Sequence, residues 1–296
     1  MKKILYVATL ALILMGCENN GVTMPNSNEI RVMATLRDDY KMTRVSGTAF
    51  ETGDRMGLYA VEYDGDSVAE VQPSANYINN EPLTYNGGVW ESRRPLYWSA
   101  LPCDFYGFYP YQELTSLKDV VFEVATDQSQ ESTAEALGGY EASDLLWAKA
   151  EKVSQSDGSV RLKFNHMMSR VVVKIEKGPK FEGKIPDDIV CHIYNTATTA
   201  LVDYTIGSVE KYVFSDNKTI KMHKIDNMTF EAIVVPQFIE RTTPLVEITM
   251  GGIAYLLEYS LSLRPGRQHT ITITLNTSPD QEKIEISIDG STDGWE

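Results

Sequence analysis

The chain has 296 residues and a formal net charge of −14. An acidic surface of that kind repels nucleic-acid phosphate and anionic lipid headgroups, which argues against both as direct partners. Hydrophobic residues make up 43%, enough for real cores, and the length suits one large domain or two of ordinary size.

The first pattern is at the N-terminus. Lys2 and Lys3 precede an apolar run from Ile4 to Gly16. That run is too short to span a bilayer but has the length of a signal-peptide core. It closes on Leu14-Met15-Gly16-Cys17, a small residue directly before cysteine with leucine three positions back, which is the pattern of a lipobox. Residues 1–16 are therefore expected to leave as a lipoprotein signal peptide. Cys17 is expected to be acylated and held at a membrane by its lipid, several chains giving stable anchoring where one would not. Residues 17–28, polar and containing Gly and Pro, read as a flexible tether. Cys103 and Cys191 remain; far apart in sequence, they are expected to be two separate buried thiols.

The first strand signal follows at once. Ile30, Val32, Ala34 and Leu36 alternate with Arg31, Met33, Thr35 and Arg37, and period two over eight residues is a half-buried strand. Residues 38–48 are polar and loop-like. Gly53-Asp54 reads as a turn into a strand that becomes apolar toward Val61. Asn86-Gly87-Gly88, between Leu83-Thr84-Tyr85 and Val89-Trp90, reads as a hairpin.

Residues 96–111 are dense in aromatics. Tyr97, Trp98, Tyr106 and Tyr109 could form a stacking platform for sugar rings. Aromatics on both parities of one strand cannot all face solvent, however, so a core strand is the favoured reading. Residues 126–143 are polar and loop-like, and Asp157-Gly158 marks a turn. Val160, Leu162 and Phe164 alternate with Arg161 and Lys163, and β character resumes at residues 171–175. Further strand-like stretches fall at 189–193, 209–214, 230–235, 245–250, 253–263, 270–275 and 283–288. Short β-branched and aromatic strands spaced near ten residues indicate an all-β sandwich type.

Much chemistry is missing from the pattern. There is no nucleophile elbow, no phosphate-binding glycine loop and no dinucleotide fingerprint. His166, His192, His223 and His269 lack metal-ligand spacing and read as residues with local hydrogen bonds. No acidic pair is marked out for glycoside hydrolysis. The expectation is a non-enzymatic chain with no cofactor and no metal.

Several blocks then occur in a fixed order. They are the lipobox, the alternating first strand and Thr43-Arg44 ahead of Phe50-Glu51-x-Gly53-Asp54-x-x-Gly57-Leu58-Tyr59. After them come Tyr97-Trp98, Asp104-Phe105-Tyr106-Gly107-Phe108-Tyr109-Pro110-Tyr111, Asp144-Leu145-Leu146-Trp147-Ala148 and Leu162-x-Phe164-x-His166-Met167-Met168-Ser169-Arg170-Val171. Arg264-Pro265-Gly266-Arg267-x-His269-Thr270 and Trp295 close the series. Over essentially the whole mature chain this resembles the fimbrillin-like family of lipoprotein-derived type V pilus subunits and surface adhesins.

The resemblance implies two tandem transthyretin-like Greek-key β-sandwich domains, placed here at residues 29–165 and 166–296. It implies a lipidated precursor that reaches the outer membrane and cell surface. There an arginine-specific protease cuts after the first strand, at Arg44 or alternatively Arg37. The strand carrying Ile30, Val32, Ala34 and Leu36 leaves, and a neighbouring subunit's C-terminal region fills the groove. In this chain the candidate donor carries Ile284, Ile286 and Ile288, whose alternation would match such a groove by strand addition. The implied partners are other pilus subunits, the protease, the membrane through the lipid, and a host or bacterial glycan or protein. A non-polymerising glycan-binding surface lipoprotein is the alternative.

Overall fold

The structure, a computed structural model, describes residues 28–36, 50–133, 135–241, 243–276 and 286–295. Among them almost every regular element is a strand; one five-residue helix, α1 (Gly139–Ser143), and one 3-10 turn at Gln155–Asp157 are the helical pieces.

The N-terminal strands are β1 (Val32–Leu36), β2 (Arg55–Asp64), β3 (Ile78–Tyr85), β4 (Trp90–Ser92), β5 (Cys103–Tyr109), β6 (Val120–Glu123), β7 (Leu146–Val153) and β8 (Val160–His166). Seven of them, in the order β2-β3-β4-β1-β8-β7-β5, form one sheet that closes on itself through a β2–β5 pairing. The expectation for this half was a sandwich of two facing sheets; the strands instead run into a barrel-like sheet. Alternating patterns cannot tell the two apart, because either way one face of each strand is inside. The hairpin at Asn86–Gly88 forms as expected: Tyr85 pairs with Trp90, and Gly87 and Gly88 take φ of 61° and 124°, which glycine adopts without penalty.

Ile30, Val32, Leu58, Phe105, Leu162 and Phe164 are among the side chains that fill the barrel. The barrel's outer wall is also covered. Tyr59, Tyr106, Phe108 and Leu145 join a second core with the C-terminal sheets. This explains β5, whose seven residues are all buried: Phe105 and Tyr109 point to one core, Tyr106 and Phe108 to the other. Gly107, on the same strand, is required by close packing. A Cβ there would lie 2.8 Å from Leu162 Cδ1 and 2.8 Å from Phe164 Cζ.

The C-terminal strands are β9 (Ser169–Lys177), β10 (Val190–Ala197), β11 (Thr199–Asp203), β12 (Ser208–Lys211), β13 (Asn217–Lys221), β14 (Thr229–Val234), β15 (Pro244–Met250), β16 (Ile253–Glu258), β17 (Arg267–Leu275) and β18 (Ile286–Gly294). One sheet runs β14-β9-β17-β18, extended past β14 by His223–Lys224; a second runs β13-β10-β15-β16. The third, β12-β11-β6, borrows β6 from the N-terminal half. Residues 286–294 differ from the expected 283–288 strand. Asp289-Gly290-Ser291-Thr292-Asp293-Gly294 reads as a turn, yet nine residues pair with β17, so the ladder overrides local preference.

The polar stretch 126–143 is a strap between the halves. Gln128 is fully buried; its amide nitrogen donates to Ile233 O at 2.7 Å and its amide oxygen accepts from Ile233 N–H at 2.8 Å. Cys103 and Cys191 are free and buried, as expected. Burial, with Glu62 and Asp104 adding, pushes the Cys103 thiol up to about 11. Burial also raises Cys191.

Candidate strand-exchange site

β1 lies inside the barrel sheet between β4 and β8. It pairs parallel with β8 along its whole length, from Val32 opposite Val160 to Leu36 opposite Phe164. On the other side it shares a single pair with β4, Val32 opposite Trp90. Just upstream, Ile30 N–H donates to Leu96 O at 2.7 Å and Trp98 N–H to Asn28 O at 2.9 Å.

The side chains follow the period read from the sequence. Ile30 is 7% and Val32 3% exposed, whereas Met33 between β1's inner positions is 50% exposed. Ala34 and Leu36 are half-buried and pack on the barrel core. Burial therefore tapers along the strand, deepest at residues 30 and 32. At the far end Leu36 borders a cavity of about 660 Å³ that Phe50 also lines. Phe50 packs edge-on against Trp90, Tyr109 and Phe164, at ring-centroid distances of 4.9, 5.8 and 5.7 Å. Phe50 thereby packs on the barrel core, as Leu36 does.

β18 is an edge strand, joined only to β17 in its sheet. Ser287, Asp289, Ser291 and Asp293 are exposed, and Ile288 is half-buried against the C-terminal core. A Cβ on Gly290 would lie 2.3 Å from Tyr259 Oη. Thr292 Oγ1 is 3.1 Å from His269 Nδ1. His269 Nε2 accepts the Arg264 N–H, so the proton sits on Nδ1 and is donated to Thr292. Burial, then the Arg264 charge, lowers the His269 pKa to about 4, which keeps the ring neutral. Trp295 stacks on His166 with ring centroids 3.9 Å apart and planes 12° from parallel. Trp295 was noted in the sequence only as a late family feature; its contact with the end of β8 could not be read there.

Other residues singled out from the sequence fall as follows. Cys17, Arg37, Arg44 and Ile284 lie outside the described residues, and Ile286 begins β18. Trp98, Tyr106 and Tyr109 are buried, while Tyr97 is 45% exposed. The favoured core reading therefore holds for Trp98, Tyr106 and Tyr109, and the alternative platform is reduced to one exposed ring, Tyr97. His166 Nδ1 sits 2.8 Å from Asp144 Oδ1, and His192 Nδ1 3.2 Å from Glu247 Oε1. The buried carboxylates are paired: Asp104 with Lys149 at 2.9 Å, Glu231 with Arg170. Among the described residues no group of three or more His, Cys, Asp or Glu is placed to hold a metal.

A candidate fimbrium tip subunit of Bacteroides ovatus, Fim1C, is 32% identical over 200 residues, 58% of this chain; the match spans about a third (35%) of that relative's length. A crystal structure of a candidate cell adhesion protein from Bacteroides uniformis superposes with a TM-score of 0.64 at 20% identity, covering 92% of this chain and all of that one. Another, from Bacteroides ovatus, gives a TM-score of 0.67 at 17% identity over 90% of this chain and 97% of that one. At such identities the likeness speaks for the fold alone. The family profile described as fimbrillin-like matches residues 43–295, and the chain belongs to the fimbrillin-like family.

Proposed function

We propose that this chain is a lipid-anchored precursor of a fimbrial subunit or surface adhesin, assembled by exchange of β1 for a neighbour's strand. Cys17 carries the lipid at the outer membrane. An arginine-specific protease cuts at Arg44, or alternatively Arg37, and β1 departs. A strand from another subunit then takes its place. The two halves, residues 29–165 and 166–296, serve as tandem units, the first presenting the slot and the second the donor. The chain acts by assembly and adhesion and carries out no catalysis.

The observation that carries this reading is the placement of β1. It is internal, its apolar teeth fill the barrel core, and both its ladder partners come from remote parts of the chain. Its loss would leave an apolar slot with unpaired backbone on β8, a strong driving force for another strand of the same pattern. Fimbrillin-like family membership and a relative named as a fimbrium tip subunit support the same reading. The glycan-binding alternative draws no support from the buried rings of Trp98, Tyr106 and Tyr109.

The test is limited digestion with an arginine-specific protease, followed by N-terminal sequencing, size-exclusion chromatography and electron microscopy. Cleavage confined to residues 37–49 followed by head-to-tail polymers is the expected result. Persistent monomer after clean cleavage overturns the proposal.

A further inference from the structure

We propose the direction and register of the incoming strand: β18 of a second copy enters parallel to β8, with Gly290 at the place of Ala34. This rests on the strand-exchange reading and adds to it which residue meets which.

The first argument is shape. The slot's inward positions hold Ile30, Val32, Ala34 and Leu36, deepest at the first two and half-buried at the last two. In β18 the positions of matching parity read Ile286, Ile288, Gly290 and Thr292. Both series run from bulky to small over their first three members. Parallel entry sets Ile286 and Ile288 in the deep positions and Gly290 in the shallow one. Antiparallel entry would set Gly290 and Thr292 in the deepest part of the core, leaving voids.

Register follows from crowding. Ala34 sits opposite Leu162 and Leu36 opposite Phe164. Those two side chains already exclude a single methyl group at Gly107. Shifting the donor by two would bring Ile284 to position 30 and Ile288 to position 34, forcing a branched chain where Ala34 now fits. With Gly290 there, no side chain is added.

The second argument is charge, and it is independent of the first. On the outer face Met33 lies opposite Arg161 and Thr35 opposite Lys163, and both cations are exposed. β1 itself brings Arg31, Met33 and Thr35 to that face, with no acid. β18 in the proposed register brings Asp289 opposite Arg161 and Ser291 opposite Lys163, with Asp293 following. Opposite charges across neighbouring strands are stabilising, so the outer face of β8 suits β18 better than the strand it holds before cleavage.

The test is disulfide trapping in the full chain. Neighbouring strands bring Cα atoms within disulfide range only in the correct register. The double variant K163C/S291C, cleaved and assembled, should give a disulfide-linked ladder of polymers on non-reducing gels. K163C/D289C should give roughly tenfold less. A dominant K163C/D289C ladder, equal linkage in both, or linkage confined to single chains overturns the register while polymers still form. Failure to polymerise overturns the exchange reading and the register with it.

A second measurement uses charge. Cleaved R161D should capture the donor more slowly, and combining it with D289R should restore the rate. No rescue, or rescue only when the partner substitution is at Lys163, counts against the proposal.

Discussion

The strands nearest the two ends of the chain are held in opposite ways. β1 has five ladder pairs with β8 and one with β4, but Ile30 and Val32 are sunk in the barrel core. β18 has nine ladder pairs with β17, yet most of its described side chains face solvent. One is retained by its side chains and the other by its backbone. Side chains confer specificity of site, since only a strand with the right teeth fits. A backbone ladder is indifferent to sequence, so a strand held that way can be lent elsewhere without leaving large holes behind.

The sharpest way to break this contrast is Val32→Asp. An unpaired carboxylate inside the barrel should cost about 3–5 kcal/mol, read as a large drop in the urea midpoint. Trp295→Ala removes the one described side chain near β18 that is buried in a stack, at about 3 kcal/mol. Its effect should be local: hydrogen exchange should speed up at residues 286–294 and beside the stacked His166, and stay unchanged in β1 and in the rest of β8. Uniform acceleration would show that Trp295 supports the whole molecule instead of its last strand.

Acidification should next loosen the turn before β17, because protonated His269 Nε2 can no longer accept the Arg264 N–H. The folded pKa of His269 lies near 4, below its ordinary 6.5, so the unfolded chain takes up the proton first. The stabilising contribution is complete above pH 6.5 and is lost as the pH falls from there through about 4, by about 3 kcal/mol. Thermal unfolding across that window should show it, and His269→Gln should flatten the profile. The smallest effect belongs to Met33→Lys, one position from Val32 but outward: under about 0.5 kcal/mol. A large loss there would mean that β1's outer face is covered.

The same contrast explains what could be read from the sequence. β1 was legible because a half-buried strand writes its burial as period two. The core role of β5 was legible because Phe105, Tyr106 and Phe108 occupy both parities. β18 beyond Ile288 was not, because a strand fixed by its ladder needs no apolar alternation. Barrel closure was hidden too, since the β2–β5 pairing leaves no local mark on either strand. The strap at Gln128 was read as plain polar loop; its partner, Ile233, is distant in sequence, and a lone buried amide looks like any other glutamine.

One consequence of β1's isolation from its spatial neighbours concerns concentration. While residues 36 and 50 are joined through the chain, β1 rebinds its slot as an intramolecular partner, at an effective concentration of millimolar order. In the proposed exchange, a single cut in that stretch would delete this advantage. The fragment then competes at its bulk dilution, and a modest local supply of other strands suffices to outnumber it. Under the proposed exchange, hydrolysis of one peptide bond would thus act as a thermodynamic switch whose force comes from tethering.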